Sequence, residues 1–321
     1  MASPETAATS YGRNLMKKLQ RLAELYPKEA EQWIKNKNEN LRVAAMYESS
    51  PAHQRKAERM CRCSDWLREQ VTVAPETGEV IKTTIKSASL CHLRYCPTCQ
   101  GVRARKWYAI LWPVVQHVLT HLPNTHFLRL DLTGKNCPDS ELRATIQAMT
   151  KAFGRLMNRN ECKKVITGWI RVTEVTRGKN GEAHPHFHCL LALSPSFVGA
   201  GYIKKERFRA LWRESLQVDY DPEIFMKLIK RQEDRADILS ENVSYITKSL
   251  KKIMEEDWLV PLTEQTGHLH FVVCGGRFRV VRKKMKKGKE VPVPDKKTHI
   301  ATFQWDRDDK NYFHLDILYM V

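Results

Sequence analysis

The sequence predicts an α+β fold in which a central antiparallel sheet carries helices on one face. Two observations support it. Elements read as strand, helix, strand, turn, strand, helix from residue 126 onward, and Lys179-Asn180-Gly181-Glu182 joins the two closest strands. Asn-Gly supplies the positive φ of a tight hairpin turn, which makes those neighbours antiparallel. With 321 residues, 42% of them hydrophobic, the chain can build one large or two ordinary cores, and a wholly disordered protein is excluded.

Apolar residues at Leu15, Leu19, Leu22, Leu25, Trp33, Leu41 and Ala45, with a break near Pro27, predict two amphipathic helices over 11–48. Short β-prone pieces follow at 71–73 and 80–85 around a turn at 75–78. An apolar helix is expected at 102–122, a strand at 126–133, a helix at 138–158, and strands at 165–176 and 184–193. Helices are expected at 203–217 and 233–254. From about 268 the chain reads as strands (269–273, 277–281, 298–305, 312–319) broken by a basic loop. The expected parts are N-terminal helices (1–58), a cysteine-rich region and helix (59–122), the sheet core (123–258), and a β-rich basic C-terminal part (259–321).

Lys and Arg number 54 against 36 Asp and Glu, a formal net charge of +18. Such an excess points to a polyanionic partner, nucleic acid being the commonest; the plainer reading is a basic protein kept in solution by self-repulsion. No window approaches the roughly 18 apolar residues of a membrane span, and residues 1–10 lack the apolar core of a secretory signal. A cytoplasmic protein without a membrane partner is expected. Nine cysteines without an export signal argue against a disulfide framework.

The most informative segment is His184-Pro185-His186-Phe187-His188-Cys189-Leu190-Leu191. Alternation on a strand sends His184, His186 and His188 to one face and Phe187, Cys189 and Leu191 to the other. Neighbouring same-face imidazoles stand about 7 Å apart, a span one metal ion can bridge. Three alternating histidines backed by an apolar face favour a metal site over polar surface. The segment resembles the His-hydrophobe-His motif of the rolling-circle nucleases, in the version found in plasmid replication initiators with one catalytic tyrosine. Phe127 to Thr133 is similar to that family's upstream strand, and Glu241-Asn-Val-Ser-Tyr245-Ile-Thr-Lys248 fits its tyrosine motif. The likeness covers about 90–255. It implies an HUH nuclease core of RRM- or ferredoxin-like type that nicks DNA.

In that reading Tyr245 is the nucleophile, leaving a 5′ phosphotyrosine and a free 3′ hydroxyl. On a helix Glu241 and Tyr245 share a face and Lys248 sits beside them. Lys248 would steady developing negative charge, and the resemblance gives Glu241 the activation of water at termination. His186 and His188 would hold Mg²⁺ or Mn²⁺, with a third ligand from Glu174 or His184. Register bears on that choice. A strict two-residue turn at Asn180-Gly181 puts Glu174 opposite Phe187, on the wrong face; an odd-length loop, or a bulge at Pro185, brings it round. A second His-hydrophobe-His, His268-Leu269-His270, has no tyrosine motif after it and reads as structural.

Cys91-His-Leu-Arg-Tyr-Cys96-Pro-Thr-Cys99 follows Cys61-Arg62-Cys63 by about 30 residues. Four thiolates around a structural Zn²⁺ would account for them: Cys63, Cys91, Cys96 and Cys99, with Cys61 the alternative to Cys63. A redox Cys-x-x-Cys leaves the other cysteines without purpose. The knuckle would present Arg94, Arg103, Arg105 and Lys106 to DNA. From 277 to 297 ten basic residues stand against Glu290 and Asp295. This run is either a solvated loop or a hairpin tip gripping phosphates through Arg282, Lys283, Lys284, Lys286 and Lys287.

The whole reads as an initiator of plasmid rolling-circle replication acting on single- and double-stranded DNA at an origin. A host helicase partner is implied by resemblance. A single-tyrosine transposase or relaxase is the second reading, and a non-catalytic zinc-containing DNA-binding regulator the third.

Overall fold

The computed structural model describes residues 27–73, 80–178, 180–229, 239, 244, 258–287 and 298–314. The described helices are α1 (Pro27–Glu48), α2 (Gln54–Cys61), α3 (Pro97–His121), α4 (Leu142–Asn158), α5 (Asn160–Val165), α6 (Lys205–Leu216), α7 (Leu259–Thr266) and α8 (Gly276–Lys287). The strands are β1 (Trp66–Val73), β2 (Val80–Ala88), β3 (His126–Thr133), β4 (Ile166–Arg177), β5 (Ala183–Leu193), β6 (Ile224–Ile229), β7 (Val272–Gly275), β8 (Thr298–Asp306) and β9 (Asn311–His314). The helix expected at 233–254, with Glu241, Tyr245 and Lys248, lies outside the described residues, as do the turn at 75–78 and the basic residues at 288–297.

The fold is α+β with antiparallel sheets, and the chain packs as two compact units. The first comprises 1–99 with 291–321, the second 100–290. The C-terminal part therefore divides: α7, β7 and α8 belong to the second unit, whereas β8 and β9 return to the first. There the sheet order is β2-β1-β8-β9, all antiparallel.

The second unit is built on a five-stranded sheet of order β6-β3-β5-β4-β7. Strand alternation splits its residues cleanly. Leu128, Leu130 and Leu132 of β3 and Phe187, Cys189, Leu191 and Leu193 of β5 pack against Met149, Phe153 and Leu156 of α4 and Phe208, Leu211 and Trp212 of α6. Each such side chain, fully buried, contributes about 1.5–3 kcal/mol. The layering goes beyond one covered face. Phe127, Ile170, Val172, Leu190 and Ala192 meet Leu111, Val114, Val115 and Val118 of α3 and Phe278 and Val281 of α8. This second face is apolar only at the end bearing Leu190 and Ala192. At the other end β5 presents its histidines.

The strand expected at 277–281 is instead the first part of α8. Arg-Phe-Arg-Val reads as period two, but Phe278, Val281 and Met285 recur at helical spacing and all pack into the α3-side core. Gly276 opens that helix at φ +55°, and a Cβ there would stand 2.5 Å from the Thr167 carbonyl, so the close crossing over β4 needs glycine. His268 and His270 lie not on a strand but in the exposed turn after α7, ahead of β7. No described helix is long and apolar enough to cross a membrane.

Candidate metal centres

The centre strand β5 is flanked by β3 and β4, and both neighbours bring a carboxylate to its histidine face. On β4 Glu174 pairs directly with His186, and on β3 Asp131 pairs with His188. The β4–β5 ladder closes at Arg177 with Ala183, so residues 178–182 form an odd-length loop and even positions face even positions. No bulge at Pro185 is involved. Within the loop Gly181 takes φ +79°, and its amide donates to the Gly178 carbonyl at 3.0 Å.

Glu174, His186 and His188 each offer a ligand atom, and these atoms all lie within 4.8 Å of one another. Both imidazoles point Nε2 at one oxygen: Glu174 Oε2 is 2.8 Å from His188 and 3.4 Å from His186. His184 stands apart from this group. Its ring packs on His186 at 4.6 Å between centroids, and its Nδ1 is hydrogen-bonded to Asn136 Oδ1. An oxygen and two imidazole nitrogens, with no thiol among them, suit a hard or borderline divalent cation such as Mg²⁺ or Mn²⁺.

Behind the trio stands a carboxylate that sequence reasoning passed over. Asp131 Oδ1 lies 3.1 Å from His188 Nδ1, a close ion-pair distance with imperfect hydrogen-bond alignment, and Arg129 grips Asp131 through Nε and Nη2 at 3.0 and 2.7 Å to Oδ2. An acid on the second imidazole nitrogen orients the ring and leaves Nε2 to face the ligand position. The available signal was the polar alternation Arg129, Asp131, Thr133 within β3. Electrostatics follow from the contacts. Burial opposes charge on Glu174, but the hydrogen bonds from His186 and His188 outweigh it and hold its carboxyl at about 2. Burial also disfavours protonated His188, yet Asp131 and Glu174 overcome it and raise its pKa. His184 is lowered, first by burial and then by His186.

In the first unit Cys63, Cys91, Cys96 and Cys99 converge, all four buried, while Cys61 is half-buried and outside the group. Sulfur separations are 3.6 Å for Cys63–Cys99 and Cys91–Cys99 and 3.4 Å for Cys63–Cys96. Tetrahedral zinc with Zn–S near 2.3 Å needs about 3.8 Å, so the four fit that ion with a small expansion. The His92 amide donates to Cys99 Sγ at 3.2 Å and the Cys91 amide to Cys63 Sγ at 3.5 Å. Burial pushes the Cys96 thiol up, whereas hydrogen bonds from Cys63, Cys91 and Cys96 pull Cys99 down.

Two α1 residues, unremarked in the sequence, hold the cysteine loops. Fully buried Lys37 donates to the carbonyls of Cys61 (2.7 Å) and Cys63 (2.8 Å) and to Asp65 Oδ1 (2.6 Å). Asn40 donates to Thr98 Oγ1 at 2.8 Å and accepts from the Thr98 amide and the Cys96 thiol, both at 3.2 Å. From the other side Tyr312 donates to the Ser64 carbonyl at 2.7 Å.

The expected DNA contacts are scattered. Arg94 is half-buried in the cysteine loop, Arg103 is half-buried and Arg105 and Lys106 exposed on α3, and Lys283 and Lys284 are exposed on α8. Arg282 stacks on Trp107 at 4.8 Å, and Lys286 and Lys287 continue the same helix rather than a hairpin tip.

Residues 82–319 match the model of a family described as replication protein. The chain is 30% identical over 298 residues to "Protein rep" of Streptococcus pneumoniae serotype 2, covering 88% of this chain and 91% of that one. It is 26% identical over 303 residues to "Protein rep" of Lentilactobacillus hilgardii, covering 88% and 94%. A third "Protein rep", from Lactiplantibacillus plantarum, is 30% identical over 205 residues, 62% of this chain and 61% of that one. No solved structure matches.

Proposed function

Because the chain belongs to this replication protein family, we propose that it initiates plasmid rolling-circle replication by nicking one DNA strand at the origin. The observation that carries the reading is the convergence of Glu174, His186 and His188 on one point, at the end of the sheet away from the α3–α8 core. A divalent cation held there would polarise the scissile phosphate and offset its charge. Glu174 and the two imidazoles fix the cation's place. Asp131 keeps His188 oriented, and the +18 charge draws the strand in.

Tyr245 attacks the phosphorus through its phenolic oxygen. The bond to the 3′ oxygen breaks, that oxygen leaves as a hydroxyl, and the 5′ side stays on the tyrosine as a phosphodiester. Reversing the step with a new 3′ hydroxyl rejoins the strand at termination. Lys248 counters negative charge on the phosphoryl oxygens, and Glu241 takes the proton from water when the final adduct is hydrolysed. The cysteine cluster takes no part in the chemistry; with Zn²⁺ it holds the first unit together.

The test uses a single-stranded oligonucleotide carrying the plasmid's own origin, with Mn²⁺. A covalent adduct at Tyr245, mapped by mass spectrometry and absent in Tyr245→Phe, is expected. An adduct that persists in that variant sinks the proposal. Cleavage at a transposon end or transfer origin in place of a replication origin would favour the transposase or relaxase reading.

A further inference from the structure

Beside the metal trio lies a cavity of about 370 Å³, within the range of small-ligand sites, whose lining includes Asn136, Asn180, His184, Tyr220 and Glu223. It adjoins the site through His184, which packs on His186, and through Thr133, which pairs with His186 across β3–β5. Its wall is a run of hydrogen-bonded side chains. Asn180 donates to Glu182 Oε2, Asn136 donates to Asn180 Oδ1 at 3.2 Å, and Asn136 Oδ1 meets His184 Nδ1. The Lys135 amide donates to Tyr220 Oη at 3.0 Å, which fixes the ring at the rim. Gly178 makes the wall possible, since a Cβ there would stand 2.4 Å from Asn136 Nδ2.

The described lining disfavours a phosphate as the occupant. Among the described residues Glu182, Asp221 and Glu223 line the cavity beside Lys135 and the imidazole of His184, in a protein that is otherwise strongly cationic. Two of those carboxylates are engaged: Arg213 binds Asp221 at 3.0 Å and Asn180 binds Glu182. Glu223, exposed and near enough to favour charge on His184, is the remaining carboxylate and can accept hydrogen bonds from a guest. A flat, uncharged guest with N–H groups, carried on a polyanion that must pass the metal trio, is a nucleobase of single-stranded DNA. Guanine is the base whose Watson–Crick edge offers two adjacent donors, N1–H and N2–H, to one carboxylate.

We propose that this cavity seats the base adjoining the phosphate under attack and selects guanine there through Glu223. The inference rests on the nickase reading and supplies what net charge cannot, a choice of sequence. It is tested on the full chain by fluorescence anisotropy at low salt, without added divalent cation so that no strand is cut. The probes are fluorescein-labelled dT12 and the same strand with one central guanine. The native protein should bind the guanine strand roughly tenfold or more tighter, as one bidentate contact provides. Glu223→Ala and the equally sized Glu223→Gln should bind both strands alike, with dT12 affinity within about twofold of the native value. Equal binding of the two strands by the native protein, with dT12 still bound, overturns the guanine subsite alone. So does a preference that survives both substitutions. Failure to bind either strand overturns the subsite and the nickase reading together.

Discussion

In the first unit four thiols sit in a closed shell, with Cys96 fully buried and backbone amides, Asn40 and Lys37 filling the space around them. In the second unit, among the described residues, three ligand groups meet, on a sheet face whose far end is roofed by α3 and α8 and whose near end adjoins a cavity. A saturated tetrahedron leaves no place for a substrate; an oxygen and two nitrogens leave several. In the proposed reading the cysteine group would hold the fold and the Glu174-His186-His188 group would serve the chemistry. The partners behind the ligands differ accordingly. Lys37, a cation, ties backbone carbonyls beneath the cysteines, whereas Asp131, an anion, tunes a ligand imidazole.

Substitutions should separate the two centres sharply. Cys96→Ser is expected to release zinc and unfold the first unit, because binding worth about 10–16 kcal/mol underwrites a structural zinc site; circular dichroism and metal analysis read this, and a folded zinc-loaded variant would refute it. His186→Ala should instead leave the melting temperature within a few degrees while nicking falls at least about 10²-fold. Its side chain is only 14% exposed, but its polar contacts, to Glu174 and Thr176, are long at 3.4 Å. Lys37→Met should destabilise by about 1–3 kcal/mol in denaturant unfolding and speed zinc loss to a chelator. The effect stays below that of a fully buried ion pair because Asp65 is one-third exposed.

Asp131→Asn sharpens the contrast with the smallest change. A cation at the trio needs neutral His188, while Asp131 and Glu174 favour its protonated form. Mn²⁺ affinity should therefore be full at high pH and weaken as pH falls through the raised His188 pKa. Removing the Asp131 charge lowers that pKa, so the midpoint of Mn²⁺ binding measured by titration should move to lower pH, with affinity at high pH reduced about tenfold. An unmoved midpoint would show that Asp131 does not govern His188.

How far the sequence exposed all this depended on whether a signal was local. The alternation of His184, His186 and His188 placed them on one strand face, and loop parity stated in advance what Glu174 would need to join them: a connection such as 178–182. The cysteine spacing gathered Cys91, Cys96 and Cys99 and left Cys63 and Cys61 as alternatives for the fourth place, which in the structure Cys63 occupies. Asp131, Lys37 and Asn40 were invisible for the opposite reason. A lone polar residue on a strand or helix reads as surface until a distant segment is packed over it. Local pattern also misled at α8, where alternating Arg277, Phe278 and Arg279 mimic a strand until Val281 and Met285 find the groove beside α3.

The division of labour between the two centres can be tested in a single sample. Brief treatment with a mild chelator, followed by parallel measurement of zinc content, melting temperature and nicking of the origin strand, should abolish nicking while zinc and melting stay unchanged, and added Mn²⁺ should restore activity. Nicking that survives chelation, or that disappears only in step with zinc and the folded state, would contradict the account.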